Sequence, residues 1–341
     1  MTIVKELLRK LAKKSFPKRR VIKILKLRSE ASTRNYYRLK LSAGFSVIAM
    51  LINELDKDPE IVDRVRDATD VFKSYGVRVP CIFDWHAEEK VMFVRDAGSS
   101  TLEDICQGHG VKYYLPYYKQ IIDHLLILHW TPVPEGMQDK IPLRISFTRK
   151  KFEDEFQFFV RYSEIAAKIA PETLNNITDL FQNVSQKMTC EKYVLTHRDL
   201  HSRNIHIKDH EPFYIDHQDA RMGPYQYDLV SLIRDSYVHL SHKAETELVK
   251  YYLDQASKIW KADMNETEFF RGYYLCLFQR SVKAAGTFYF QTYVREHVKY
   301  QKYIPIVLQY ALSALFKLGE EPSRVAAMQE VLEMLIREQK G

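Results

Sequence analysis

The chain has 341 residues, of which 46% are hydrophobic and 28% charged, with only 11 Gly and 12 Pro. Such a composition supports a sizeable core and excludes a disordered or collagen-like chain. The formal net charge of +7 is unevenly placed: residues 1–28 hold eleven Lys/Arg against a single acid, Glu6, and the rest is slightly acidic, which a uniformly basic nucleic-acid binder would not be.

Residues 3–14 read as an amphipathic helix, because Ile3, Val4, Leu7, Leu8 and Leu11 recur at helical spacing; Pro17 ends it. Its basic residues form a solvated face or, alternatively, make weak contact with an anionic surface; no nucleic-acid partner is expected. Val21–Leu27, Tyr36–Leu41 and Phe45–Leu51 are short β-rich segments joined by turns such as Ser42-Ala43-Gly44, so an antiparallel meander is predicted. A helix is predicted over 59–75, with Asp58 as a cap, Pro59 in the first turn and Gly76 beyond the end. Val79–Trp85 and Lys90–Arg95 read as a further strand pair.

At Gly98 the pattern changes. Helical spacing dominates over 111–130, 149–169, 172–188, 226–240, 243–260, 265–290 and 321–338. One island, 194–217, holds short apolar bursts beside polar residues. No apolar run approaches the roughly 20 residues of a membrane span; the most tempting, around Ile121–Trp130, is broken by Asp123, His124 and His129. The basic N-terminus has no signal-type apolar core. Cys81, Cys106, Cys190 and Cys276 form no Cys-x-x-Cys pair and read as reduced core thiols. A cytoplasmic location is expected.

The island contains Thr196-His197-Arg198-Asp199-Leu200-His201-Ser202-Arg203-Asn204. His-Arg-Asp followed, after four intervening residues, by Asn is the pattern of the protein-kinase catalytic loop. The spacing lets one rigid turn present a carboxylate to an attacking hydroxyl and an amide oxygen to a metal ion on the phosphates. A hairpin from Ile205 to Ile215 would return the chain so that Asp216 faces the same metal. One carboxylate and one amide oxygen are hard ligands suited to Mg²⁺. The histidines at 197, 201, 206, 210 and 217 match no zinc spacing. Asp228, at a predicted helix start, reads as a buried acid accepting N–H groups of the catalytic loop.

These residues resemble the aminoglycoside phosphotransferase-like superfamily, and within it the anomeric sugar kinases of bacterial cell-wall (peptidoglycan) recycling. Four blocks carry the resemblance: Ser29–Leu39, the 197–204 loop, Ile215–Ala220 with Gly223-Pro224 and Tyr227–Asp235, and Gln279-Arg280 with Lys283 and Gly286. The resemblance implies an α+β, protein-kinase-like fold of two lobes. Residues 1–98 would form the β-rich nucleotide-binding lobe, and 99–341 the helical lobe with catalytic loop and acceptor site.

It further implies an ATP- and Mg²⁺-dependent phosphotransferase acting on the C1 hydroxyl of N-acetylmuramate or N-acetylglucosamine. Asp199 would be the catalytic base, and Asn204 and Asp216 the metal ligands. Ser29, Ser32 and Thr33 would cradle phosphates in place of a Gly-rich loop. The usual third-strand Lys is missing from Phe45–Leu51, so Arg34 or Arg38 is expected to supply its charge. Asp96, in Val94–Gly98, falls in the lobe connection that meets adenine. Asp219 is a candidate for a sugar hydroxyl or a structural turn acid. Arg280 and Lys283 either meet the substrate's carboxylate or phosphate oxygens or are solvated or paired with acids, and the aromatics near the C-terminus are core or a stacking face. His217 replaces a common Phe and either packs like it or tunes the metal. Two alternatives stay open: another small hydroxyl acceptor (an aminoglycoside, a choline-like amine, another sugar), or a non-catalytic ATP-binding pseudokinase.

Overall fold

A computed structural model describes residues 2–27, 34–52, 60–262 and 264–339. Five antiparallel strands, β1 (Val21–Lys26), β2 (Asn35–Leu41), β3 (Ser46–Leu51), β4 (Ile82–His86) and β5 (Val91–Arg95), form a sheet in the order β1-β2-β3-β5-β4. Ala43 and Gly44 both take positive φ at the β2–β3 turn, which suits the twist of a tight hairpin. Helix α1 (Thr2–Ser15) buries Leu8, Leu11 and Ala12 against Leu39, Val47 and Phe93 on one face of the sheet. The predicted cap and first turn at Asp58 and Pro59 lie outside the described residues.

Helix α2 (Ile61–Ser74) ends at Tyr75 and Gly76, the latter with φ of 77°. It belongs to two cores. Ile61 and Val65 pack with Met50 and Met92 of the sheet, while Val71 and Phe72 join the large core of the helical part. Lys140 binds Asp67 and Asp70 at 2.9 Å each, adding an electrostatic tie.

The rest is mainly helical: α3 (Leu102–Gly108), α4 (Val111–Trp130), α5 (Ile141–Arg144), α6 (Arg149–Ser163), α7 (Pro171–Thr189), α8 (Tyr227–Ile233), α9 (His242–Lys258), α10 (Glu266–Tyr289), α11 (Ile304–Leu315) and α12 (Pro322–Glu338). Two small ribbons interrupt it. Strand β6 (Tyr193–Thr196) pairs with β9 (Arg221–Pro224), and β7 (Ile205–Lys208) with β8 (Glu211–Tyr214). Among the described residues, no helix is long and apolar enough to cross a membrane.

Several expectations need correcting. The helix predicted over 226–240 stops at Ile233, because Asp235 turns its carboxylate onto the N–H of Tyr237 and closes a local turn. The helix over 149–169 ends at Ser163, where Glu164 takes a left-handed conformation. Helices α3 and α11 were not predicted. A capping box between Thr101 and Asp104 starts α3. In α11, Ile304, Val307, Leu308, Ala311 and Leu315 are buried; its β-branched residues and Pro305 mask the helical period, and tertiary burial decides. Most of the C-terminal aromatics are core: Tyr273, Phe278, Phe288 and Tyr289 are buried.

Candidate active site

The loop after β6 is held by two acids, one in α8 and one in the turn just beyond it. Asp228, fully buried in the first turn of α8, accepts the backbone N–H groups of His197 (2.5 Å) and Arg198 (3.0 Å). This is the role its sequence position predicts. Asp235 accepts the N–H of Ser202 at 2.8 Å. The imidazole of His197 donates to the carbonyl of Ile215 at 3.0 Å, fastening the loop to the end of the β7–β8 hairpin. Arg198 and Asp216 both take positive φ (80° and 64°), a strained backbone that this network imposes on the two residues flanking the cleft.

Asp199 lies 30% exposed at the mouth of this arrangement. Asn204 donates from Nδ2 to the Asp199 carbonyl at 2.9 Å, which leaves the Asn204 amide oxygen for another partner. Lys283 donates to Asp199 Oδ1 at 3.0 Å. Burial opposes ionisation of Asp199, but Lys283, Arg198 and Arg280 overcome it and hold the carboxyl well below the usual carboxylate range. Asp216 behaves oppositely. Enclosure by protein raises its pKa; a hydrogen bond from Gln218 at 2.7 Å lowers it, and the neighbouring Asp199 and Asp219 raise it further. The Asp216 carboxylate and the Asn204 amide oxygen are hard-oxygen donors that fit a divalent cation such as Mg²⁺, and a cation there would relieve the repulsion that Asp199 and Asp219 exert on Asp216.

The fourth sequence block proves to be one face of α10. Gln279 donates to buried Glu155 of α6 at 2.7 Å, Arg280 donates to the Arg198 carbonyl at 3.0 Å, and Lys283 reaches Asp199. Gly286 completes the face: a Cβ there would lie 2.8 Å from Phe159 Cα, so only glycine lets α6 and α10 approach this closely. Residues at i, i+1, i+4 and i+7 thus dock the helix onto α6 (Gln279, Gly286) and onto the catalytic loop (Arg280, Lys283).

The other candidates are distributed unevenly. Asp219 is held by Arg198 at 3.0 Å and Arg221 at 3.7 Å, with 42% of its side chain exposed. Arg38 and Asp96 bind each other: the guanidinium meets both Asp96 oxygens at 2.7 and 3.0 Å and also donates to the Gly98 carbonyl at 2.7 Å. Asp96 accepts further bonds from Ser46 (2.5 Å) and the Gly98 N–H (3.0 Å). Burial would raise its pKa, but these partners lower it. Arg34 lies within electrostatic reach of Asp216. Ser29, Ser32 and Thr33 lie outside the described residues.

The histidines are separately engaged. His201 meets Asn204 (3.3 Å), His206 the Gly98 carbonyl (3.1 Å) and His217 the Thr69 hydroxyl (2.9 Å). His217 also packs edge-on against Phe72, and burial pushes its pKa down to about 3, so it serves as a neutral packing group. Glu155 and Gln218 are site residues the sequence reading missed. Glu155 carries no local signal, because its partners come from elements far along the chain. Gln218 is two residues from Asp216, a proximity that offered a hint.

A family model described as phosphotransferase enzyme family matches residues 23–270, most of the chain and all of the catalytic loop. The chain belongs to the phosphotransferase enzyme family. Two curated relatives carry the name N-acetylmuramate/N-acetylglucosamine kinase. The protein from Neisseria meningitidis serogroup B is 27% identical over 292 residues, covering 83% of this chain and 82% of its own. That from Pseudomonas putida is 27% identical over 267 residues, covering 76% and 74%. Among solved structures, a choline kinase from Cryptosporidium parvum superposes with a TM-score of 0.61 at 10% identity, covering 96% of this chain and 99% of its own. A spectinomycin phosphotransferase, solved with ADP and spectinomycin, gives 0.58 at 14% identity, covering 96% and 98%. These neighbours share the protein-kinase-like fold, with its antiparallel sheet and helical C-terminal part. The protein is a small-molecule phosphotransferase.

Proposed function

We propose that the protein transfers the γ-phosphoryl group of ATP to the anomeric hydroxyl of an amino sugar such as N-acetylmuramate or N-acetylglucosamine. The observation that carries the reading is the convergence of Asp199, Asn204 and Asp216 at one cleft, on a loop held by Asp228 and Asp235. Asp199 accepts or orients the proton of the attacking hydroxyl through Oδ2, which has no hydrogen-bond partner among the described residues. The Asn204 amide oxygen and the Asp216 carboxylate are the residues that would hold Mg²⁺, which when bound neutralises charge on the nucleotide phosphates. Arg34 lies within electrostatic reach of Asp216. Asp96 and Arg38 fix the connection between residues 1–98 and 99–341, whose backbone meets adenine. Asp219 is the candidate for a sugar hydroxyl, and Arg280 buttresses the loop beside it.

The choice of acceptor is supported by the relatives' names and by charge. Lys283, Arg198 and Arg280 surround Asp199. Such surroundings disfavour a cationic amine and suit a neutral or anionic acceptor. A carboxylate of weak basicity suits a hemiacetal hydroxyl, which is more acidic than an ordinary alcohol.

The test is ADP release from Mg-ATP across N-acetylmuramate, N-acetylglucosamine, other hexoses, choline and kanamycin, with loss of the sugar's reducing end as the signature of C1 transfer. Turnover restricted to an amine would remove the sugar reading. Thermal stabilisation by ATP with no turnover on any acceptor would favour a pseudokinase.

A further inference from the structure

Three cations gather at Asp199, and they differ in what already occupies them. Arg198 is turned into the protein, 3.0 Å from Asp219 and 3.6 Å from Glu155, with 14% of its side chain exposed. Arg280 donates to the Arg198 carbonyl, and its guanidinium lies 5.0 Å from the centre of the Tyr227 ring. Lys283 is different. Among the described contacts its ammonium makes one, to Asp199 Oδ1. An ammonium has three donors, so two remain. On the sheet side β3 has no Lys, and Arg38 is committed to Asp96 and Gly98.

We propose that Lys283 is the cation that meets the transferred phosphate from the acceptor side. The proposal rests on the phosphotransferase reading of the site. An attacking hydroxyl must lie within hydrogen-bond reach of Asp199, and the phosphorus about 3–3.5 Å beyond its oxygen. An ammonium 3.0 Å from the same carboxylate therefore sits beside the path of the equatorial phosphate oxygens. Charge is spread over those oxygens in the transition state, and a fixed cation in a partly dry cleft stabilises it without reorganising. By holding Oδ1, Lys283 also leaves Oδ2 for the acceptor. During the step the bond from phosphorus to the ADP oxygen breaks and a bond to the acceptor oxygen forms. The hydroxyl proton passes to Asp199, and Lys283 keeps its own protons throughout.

An acyl-phosphate derivative of ATP tests this on the full chain. Its acyl carbon sits on the γ-phosphate; a nearby amine attacks it, forming an amide and releasing ATP. Peptide mapping should find the acyl group on Lys283, suppressed by excess Mg-ATP. Absence of label at Lys283, or label confined to other lysines, overturns the proposal. As a second measure, Lys283→Met should lower kcat by roughly 10²-fold or more, with both KM values within about threefold. It should also lose the extra tightening of ADP binding by aluminium fluoride, while Lys283→Arg recovers part of both. A merely structural role would lower the thermal midpoint and leave that tightening intact, and near-normal kcat in Lys283→Met also counts against the proposal. A wild type labelled at Lys283 yet silent on every sugar would sink the sugar reading and still support this one.

Discussion

The side-chain amide of Asn204 donates to the backbone carbonyl of Asp199 at 2.9 Å, so the carboxylate and the free amide oxygen are carried by one closed turn. Asn204→Ala should therefore disturb both positions and lower kcat by about 10²-fold or more. Asn204→Asp separates the contributions. It keeps an oxygen donor but loses the N–H to the carbonyl. We expect it to retain most Mg²⁺ affinity while turnover stays reduced; a fully active Asp variant would show that the hydrogen bond is dispensable. Mg²⁺ titration of ATP turnover reads both.

Arg34 and Arg38 compete in the sequence for the charge that the third strand lacks; Arg38 is ion-paired to Asp96, while Arg34 lies within electrostatic reach of Asp216. Arg38→Ala strips a largely buried carboxylate of its cation and should cost about 3 kcal/mol of stability, measured by urea unfolding. Arg34→Ala should instead raise the apparent ATP KM about tenfold, the weight of one charge-assisted hydrogen bond. If Arg38→Ala unfolds normally and alters only ATP affinity, the two roles are reversed.

Gly286→Ala sets two effects against each other. Glycine to alanine inside a helix alone gains about 1 kcal/mol. Here the new methyl would fall 2.8 Å from Phe159 Cα, a backbone atom that cannot swing away. Overpacking of this kind costs about 1–3 kcal/mol, so a net loss is expected. Activity should fall with it, because Lys283 and Gln279 ride on the same helix face. A stabilised, fully active variant would mean that α6 and α10 can part at no cost.

His129 gives a pH dependence whose sign is fixed. It is buried in α4 against the Tyr252 hydroxyl (3.0 Å), and burial pushes its pKa down to about 3. The unfolded chain titrates it near the ordinary value of about 6.5, so between the two the unfolded state binds more protons. Its contribution to stability is complete above about pH 6.5 and falls by about 1.4 kcal/mol per pH unit below it. His129→Gln keeps a hydrogen-bonding group without titrating. Urea unfolding at pH 7 and pH 5 should show a flatter slope for the variant; an unchanged slope would place the acid sensitivity elsewhere.

Legibility followed the distance over which the responsible contacts act. The 197–204 loop, the hairpin and the place of Asp228 could be read because they follow one another within a few dozen residues, with spacings that chemistry constrains. The strands of the sheet were legible from alternation and turns. Lys283 was visible as a residue but not as a partner of Asp199, since its address depends on how α10 docks, 84 residues along the chain. Glu155 was invisible for the same reason. The partner of Arg38 could not be read, because a sequence shows a charge without what neutralises it, and Asp96 supplies the neutralising group 58 residues on. Helix α11 was missed because its β-branched residues and Pro305 read against a helix, even though its burial follows a helical period with Gln309 and Ser313 exposed.

The double membership of α2 has a consequence for how the molecule comes apart. Ile61 and Val65 belong to the sheet's packing, and Val71, Phe72 and the Thr69–His217 hydrogen bond belong to the helical part. A chain severed near residue 98 would leave this helix with one core satisfied and the other open to water. Neither fragment would inherit a finished surface. The sheet and the helices are therefore expected to melt in a single cooperative transition, and complementation from separately expressed halves would require each to arrive with its apolar seam already exposed.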